Sequence, residues 1–208
     1  MVMLGAFGYF VVASVTAVFS PDISSAAAAP VSDAELLGLV TYEIFLLALI
    51  GPFLVMRGWR WSDVGMAPTL QDTGMGLVLT AAGYMGYIAA WSVYSVFISQ
   101  DGDAVPIETG VQASTAVLLS VVNGFFEELF VCGYLINALK KRRSVVFAIN
   151  VSVAIRLAYH LYQGPIAVPS ILPMALIFGY WFAKTGRLWP LVVAHALMDF
   201  LALSPYIE

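Results

Sequence analysis

The chain has 208 residues, of which 61% are hydrophobic and only 11% are charged, and its formal net charge is -4 at pH 7. Soluble domains contain about 25% charged residues, so this composition excludes an ordinary soluble domain and indicates a membrane protein. The single cysteine, Cys132, excludes an intrachain disulfide.

Seven apolar segments approach the length of about 20 residues that a helix needs to cross a bilayer, and turn-rich breaks separate them. In chain order they cover residues 4–19, 36–56, 74–99, 113–139, 145–162, 166–183 and 188–203. The sequence therefore predicts an all-α polytopic transmembrane helix bundle of about seven spans, with residues 1–208 forming one domain.

The first segment has a second interpretation, because the following "SSAAAAP" resembles a signal-peptide cleavage site. No Lys or Arg precedes the apolar run, and this favours an ordinary first span over a cleaved signal.

Charge is distributed unequally between the two sides of the predicted bundle. Eight of the nine basic residues follow the second, fourth and sixth segments: Arg57, Arg60, Lys140, Lys141, Arg142, Arg143, Lys184 and Arg187. Six acidic residues fall on the other side: Asp22, Asp33, Glu35, Asp101, Asp103 and Glu108. The positive-inside rule then predicts a multi-pass membrane protein with a cytoplasmic N-terminus and an external C-terminus. The run "KKRR" is interpreted as part of this signal, and no nucleic-acid partner is predicted.

Seven ionisable residues lie inside the apolar segments: Glu43, Glu127, Glu128, Arg156, His160, His195 and Asp199. Each charged side chain there costs about 2.5–3.5 kcal/mol on insertion scales unless it is paired or hydrated. These residues are therefore expected to converge on the bundle interior or on a water-filled cavity.

Spacing predicts which of these side chains face each other. Glu127 and Glu128 diverge by about 100° on a helix, so they are not expected to serve one site from one direction. Asn123 shares the Glu127 face. We expect Glu127 to face a polar cavity and Glu128 a closely packed neighbour, because Gly124 and Cys132 flank it.

The i, i+4 rule places Arg156 and His160 on one face of their helix, and His195 with Asp199 on one face of theirs. For Glu43 the favoured interpretation is a structural hydrogen bond between helices.

The stretches "EELFVCGYL", "RLAYHLYQG" and "AHALMDF" occur in this order on separate predicted helices. They resemble the three motifs EExxxR, FxxxH and HxxxN or HxxxD of the CPBP family. These are the CAAX-processing and bacteriocin-processing intramembrane endopeptidases, also called Abi proteins. The resemblance covers about residues 113–200, which contain the motif-bearing helices.

The resemblance implies a catalytic role for five residues. Glu127 and His160 match the pair that activates a water molecule. His195 and Asp199 match the motif that stabilises the oxyanion, and Glu128 matches the supporting glutamate. The implied activity is metal-independent and needs no cofactor. The implied partners are membrane lipid and a peptide or lipidated-protein substrate, such as a prenylated tail or a leader peptide.

Two motif positions differ from the family pattern: Cys132 replaces the arginine of EExxxR, and Arg156 replaces the phenylalanine of FxxxH. We interpret these as one change, because the two helices run antiparallel and Arg156 could then supply Glu128 with its cation. Asp199 can donate to an oxyanion only if it is protonated; if ionised, it is expected to orient His195.

The three candidate residues His195, Glu127 and His160 must lie at the same depth in the membrane to form one site. Counted from the inner boundary, His195 lies about one and a half turns in, whereas Glu127 and His160 lie deeper. The three can meet only if the last helix starts deeper or the fifth helix begins further inside.

Two alternative functions remain open at the level of sequence. Glu127, His160 and His195 could form the His2Glu ligand set of a zinc-dependent intramembrane peptidase, although no HExxH motif supports it. Intramembrane Glu and His residues also occur in membrane scaffolds and proton-coupled transporters. Transporters often have Gly- or Pro-interrupted helices in paired halves, and no matching pair is found in this sequence.

Overall fold

The computed structural model describes residues 1–19, 30–97 and 106–208. Their helices are α1 Val2–Phe19, α2 Asp33–Met56, α3 Leu70–Phe97, α4 Ala113–Glu127, α5 Leu135–Lys140, α6 Val145–Tyr159, α7 Ala167–Thr185 and α8 Trp189–Leu203. A π-helical segment, Glu128–Tyr134, joins α4 to α5, and 3-10 turns occupy Trp61–Val64, Leu161–Ile166 and Ser204–Tyr206. The predicted all-α membrane bundle is confirmed. Residues 98–99 of the third predicted segment and most of "SSAAAAP" lie outside the described residues.

The predicted number of spans requires a correction. Five helical stretches in the described chain are long and apolar enough to cross a membrane: Val2–Phe19, Asp33–Met56, Leu70–Phe97, Ala113–Lys140 and Leu161–Thr185, the last of which is kinked at Gly164. Helices α6 and α8 have 15 residues each, or about 22 Å of helix against a hydrocarbon core of about 30 Å. These two helices are short because 3-10 turns replace the α-helix at their C-terminal ends.

The rod formed by α4, the π-helical segment and α5 is the central element of the bundle. Of its most apolar stretch 67% is buried, against 22% for α3. The wider π-helical turn changes the carbonyl register, and Ser152 Oγ of α6 donates to Val131 O at 3.0 Å. Glu127 and Glu128, where this segment begins, are buried in the interior of the protein.

Helix α8 starts deep inside the bundle, and this brings His195 to the depth of Glu127 and His160. Leu188 N donates to Gly65 O at 3.2 Å, and a Cβ at Gly133 would lie 3.5 Å from Leu188 Cδ2. Gly133 precedes Lys140, the end of α5, by about 10 Å of helix. The first of the two predicted conditions is therefore met: the last helix starts deeper than the basic boundary, and His195 reaches the level of Glu127.

Glycines allow α3 and α4 to approach α8 closely. A Cβ at Gly76 would lie 2.6 Å from Val193 Cγ1, and one at Gly124 would lie 2.9 Å from Ala196 N. Both distances are shorter than a real Cβ contact, so each helix needs glycine at that position. The predicted close packing beside Glu128 is present, and Cys132 is 1% exposed within it.

The basic loops lie together at one end of the bundle. Lys141 Nζ is 5.3 Å from the Trp59 ring centroid, and Arg187 Nη1 is 2.7 Å from Asp72 Oδ1. At the opposite end, Val31 pairs with Ile107 and Val111 with Ile207 in isolated bridges. Of the acidic residues predicted for that side, Asp22, Asp101 and Asp103 lie outside the described residues.

Candidate active site

The two adjacent glutamates meet the same cation and the same imidazole. Arg156 Nη1 lies 3.3 Å from Glu127 Oε2, and Arg156 Nη2 lies 2.8 Å from Glu128 Oε1. His195 Nδ1 is 2.7 Å from Glu128 Oε1, and His195 Nε2 is 4.0 Å from Glu127 Oε2. The two glutamates therefore reach the same cation and imidazole from different helix faces, as their expected divergence of about 100° allows. Arg156 and His195 lie in the angle between the two helix faces, and both side chains are long enough to reach them.

The contact predicted between Arg156 and Glu128 is present. The guanidinium is 1% exposed and Glu128 is fully buried, so this ion pair is shielded from solvent. Arg156, in the last turn of α6, lies beside Cys132, the position where the family motif has its arginine. A small side chain at position 132 leaves room for a cation that comes from the neighbouring helix.

Tyr159 is a site residue that the sequence analysis missed. Its hydroxyl donates to Glu127 Oε2 at 2.5 Å, and its ring stacks on Phe7 of α1 with centroids 4.7 Å apart. Tyr159 follows Arg156 by three residues, and this i, i+3 spacing was the signal that could have identified it. Two donors thus fix one oxygen of Glu127 and leave the other, Oε1, for further contacts.

His160 is placed by the end of α6. It is the residue after the last helical position, and the 3-10 turn Leu161–Ile166 follows. Gly164 in this turn has a φ of 72°, which favours glycine, and the chain there turns back into α7. His160 Nε2 lies 4.0 Å from Glu127 Oε1. This is too long for a direct hydrogen bond, but the separation is compatible with one water molecule at about 2.8 Å from both atoms.

His195 lies between the carboxylates of Glu127, Glu128 and Asp199. Its Nδ1 contacts Glu128, and its Nε2 lies 3.6 Å from Asp199 Oδ1. Asp199 Oδ2 accepts a hydrogen bond from Asn123 Nδ2 at 2.8 Å. The closest carboxylate to the imidazole is therefore Glu128, and Asp199 is held at a longer distance by Asn123.

A cavity of about 460 Å³, within the range of small-ligand sites, adjoins part of this cluster, and His195 and Asp199 are not among its lining residues. Its wall includes Glu127, His160 and Asn123 but not Glu128, so Glu127 faces a cavity as predicted, although the wall is mostly apolar and not polar. Aromatic rings of α1 and the carboxyl of Glu43 from α2 complete the wall. Glu43 Oε2 is buried and has no hydrogen-bond partner among the described residues. The interhelical hydrogen bond predicted for Glu43 is thus not found at this atom.

The donor arrangement does not fit the zinc alternative. Among the described residues, no three His, Cys, Asp or Glu side chains are grouped to hold a metal ion. The Arg156 guanidinium, 3.3 Å from Glu127 Oε2, would repel a dication bound to that carboxylate.

The fold and the site together define a class: a multi-pass helical membrane protein with a buried cluster of acidic, basic and imidazole groups beside a cavity. The family model for type II CAAX prenyl endopeptidases, Rce1-like, matches residues 109–201. The resemblance to the CPBP family of CAAX proteases is confirmed over that segment, which contains all three motifs. The match supports a CAAX-protease-like intramembrane endopeptidase. No curated protein and no solved structure matches the chain.

Proposed function

We propose that the protein hydrolyses a peptide bond at the membrane by a metal-independent mechanism, with Glu127 and His160 activating the water molecule. The observation that carries this proposal is the 4.0 Å separation of Glu127 Oε1 from His160 Nε2 at the wall of one cavity. A glutamate and a histidine that share one water supply the general base for attack and the general acid for departure.

Water attack forms the new C–O bond, and the proton of the water passes to the Glu127–His160 pair. The C–N bond then breaks, and the same pair returns the proton to the leaving amine. Meanwhile Arg156 and Tyr159 hold Glu127 Oε2, so that only Oε1 contacts the water. This division orients the carboxylate without a further conformational step.

His195 is assigned to the oxyanion. In its imidazolium form both ring nitrogens donate: Nδ1 to Glu128, and Nε2 towards the space shared with Glu127 and Asp199. A donor held in this way stabilises charge that develops on the substrate oxygen more strongly than water does. Asp199 and Asn123 are positioning residues for this imidazole.

Cleavage of a peptide library by detergent-purified protein tests the proposal. The library contains quenched peptides with and without a farnesyl group, because the resemblance allows both a prenylated and an unmodified substrate. We expect Glu127→Gln and His160→Ala each to lower kcat/KM by at least about 100-fold, with no effect of a chelator. The matched control is Glu108→Gln, an exposed glutamate outside the helices.

Other outcomes separate the remaining alternatives. Activity that a chelator removes would favour a metal enzyme. Equal cleavage by wild type and Glu127→Gln would overturn the assignment of Glu127. A folded protein that cleaves no peptide would favour the scaffold or proton-coupled transporter, and proton flux into proteoliposomes would then be measured.

A further inference from the structure

Glu43 of α2 lies in the candidate active site although it is outside the matched segment. It is 2% exposed and lines the same cavity as Glu127 and His160. Its Oε2 is buried without a hydrogen-bond partner among the described residues. The proposed hydrolysis gives this carboxyl no role.

The other carboxyl groups of the site each have a partner for at least one oxygen, although Glu128 Oε2 is also buried without one among the described residues. Glu127 contacts Arg156 and Tyr159, Glu128 contacts Arg156 and His195, and Asp199 contacts Asn123. An unpaired buried oxygen lowers the stability of the folded protein, since its hydration is lost without compensation. Glu43 differs from them because no hydrogen bond to either of its oxygens is found among the described residues, and because it lines the cavity, where a bound molecule can approach it.

The wall of the cavity is mostly apolar. Besides Glu43 it includes Phe7 and Phe10 of α1 and Leu39, one turn before Glu43 on α2. A peptide that lies here exposes backbone N–H groups, and each of these needs an acceptor when water is displaced. On the α2 side, Glu43 is the lining residue whose side chain can accept such a hydrogen bond.

We propose that Glu43 is a substrate-positioning residue whose carboxyl accepts a hydrogen bond from a backbone N–H of the peptide in the cavity. This inference rests on the proposed hydrolysis and adds a contact that holds the peptide against Glu127 and His160. The hydrogen bond forms only in the complex, so Glu43 contributes to binding while it lowers the stability of the free protein.

The kinetic test compares Glu43→Met, which is apolar and of similar length, with Glu43→Gln, which keeps an acceptor oxygen. With the library peptide that wild type cleaves fastest, Glu43→Met should raise KM about tenfold and change kcat little. Glu43→Gln should stay within about threefold of wild type, because its amide oxygen still accepts. The control Ile44→Met, at the next, lipid-exposed position of α2, should leave both constants unchanged.

Thermal unfolding separates this role from a structural one. The apparent Tm of Glu43→Met should equal or exceed that of wild type, because the variant removes an unpaired buried oxygen. A lower Tm together with a lower kcat would instead show that Glu43 maintains the fold, and would overturn the proposal.

Ester-substituted peptides test the hydrogen bond itself. Replacing one amide at a time by an ester removes a single N–H, and one position should cost wild type and Glu43→Gln about tenfold in kcat/KM. At that position the ester should lower the kcat/KM of Glu43→Met by no more than about twofold. Identical ester penalties in wild type and Glu43→Met at every position would overturn the proposal.

Binding distinguishes a failure of this inference from a failure of the proposed function. The dissociation constants of intact library peptides are measured for Glu127→Gln and for the double variant Glu127→Gln/Glu43→Met. The double variant is expected to bind the peptides about tenfold more weakly. Equal binding would overturn the role of Glu43 alone, whereas wild-type cleavage by Glu127→Gln would overturn the hydrolytic assignment alone. A protein that neither binds nor cleaves any peptide would overturn both.

Discussion

At the scale of single residues, Arg156 determines whether two adjacent glutamates can be buried together. Its two terminal nitrogens contact Glu127 and Glu128 separately, and both carboxylates are withdrawn from solvent. A buried charge that loses its partner is strongly destabilising, because the penalty of desolvation remains while the attraction is lost. The family motif supplies this cation from the glutamate helix itself, whereas here it comes from α6.

Exchanging the position of the cation tests this interpretation. Arg156→Phe, which introduces the family residue, should lower the free energy of unfolding by about 3–5 kcal/mol and abolish cleavage. The double variant Cys132→Arg/Arg156→Phe should recover both fold and activity, as measured by thermal unfolding in detergent and by peptide cleavage. Cys132→Arg alone is the control and should be destabilised, because it adds a second cation to an occupied site. A double variant no better than Arg156→Phe would contradict the exchange.

At the scale of elements, α8 carries the third motif because its neighbours let it approach closely. Gly76 of α3 and Gly124 of α4 meet its backbone and side chains where a Cβ would not fit. In membranes such small residues promote helix association, since van der Waals contact replaces the missing hydrophobic force. The position of His195 beside the glutamates therefore depends on residues that take no part in the chemistry.

Two glycines on α3, one packed against α8 and one not, allow the effect of close helix packing to be tested. A Cβ at Gly76 would lie 2.6 Å from Val193 Cγ1, whereas one at Gly74 would meet nothing within 4 Å. Gly76→Ala should cost about 1–3 kcal/mol of unfolding free energy through overpacking and should reduce cleavage by displacing α8. Gly74→Ala should be neutral or slightly stabilising, because alanine favours the helix. Equal Tm values for the two variants would show that α3 and α8 separate without cost.

At the scale of the whole molecule, the protein is polarised along the helix axes. The basic loops gather at one end, and the cavity is lined by residues away from that end, including Tyr159 at the end of α6 and Leu39 and Glu43 in the first half of α2. If the basic end is cytoplasmic, as the positive-inside rule predicts, the cavity lies nearer the external side of the membrane. A substrate would then approach from the bilayer or from outside.

Single engineered cysteines test this orientation. The native Cys132 is 1% exposed and should contribute little background. In intact cells a membrane-impermeant thiol reagent should label Glu208→Cys at the C-terminus. It should label Arg142→Cys, in the basic loop after α5, only after permeabilisation. The reverse pattern would place the basic loops outside and contradict the rule for this protein.

The sequence by itself determined the helical class, the approximate bounds of the helices and the motifs that bear the site residues. These features depend on local composition and spacing, because a long apolar run forms a helix in lipid whatever its neighbours are. The i, i+4 pairs of α6 and α8 were predictable for the same reason. The partnership of Arg156 with Glu128 was predictable because it needs only antiparallel neighbouring helices.

Only the tertiary structure decided how far each helix is inserted and which side chains meet. The deep start of α8 depends on the loop at Gly65 and on Leu188 packing beside Gly133. The shared contacts of Glu127 and Glu128 with Arg156 and His195 depend on where α6 and α8 cross the helix that carries the glutamates. The position of Glu43 at the cavity depends on how α1 and α2 pack. These are contacts between residues distant in sequence, and neither helical periodicity nor the cost of burying charge specifies them.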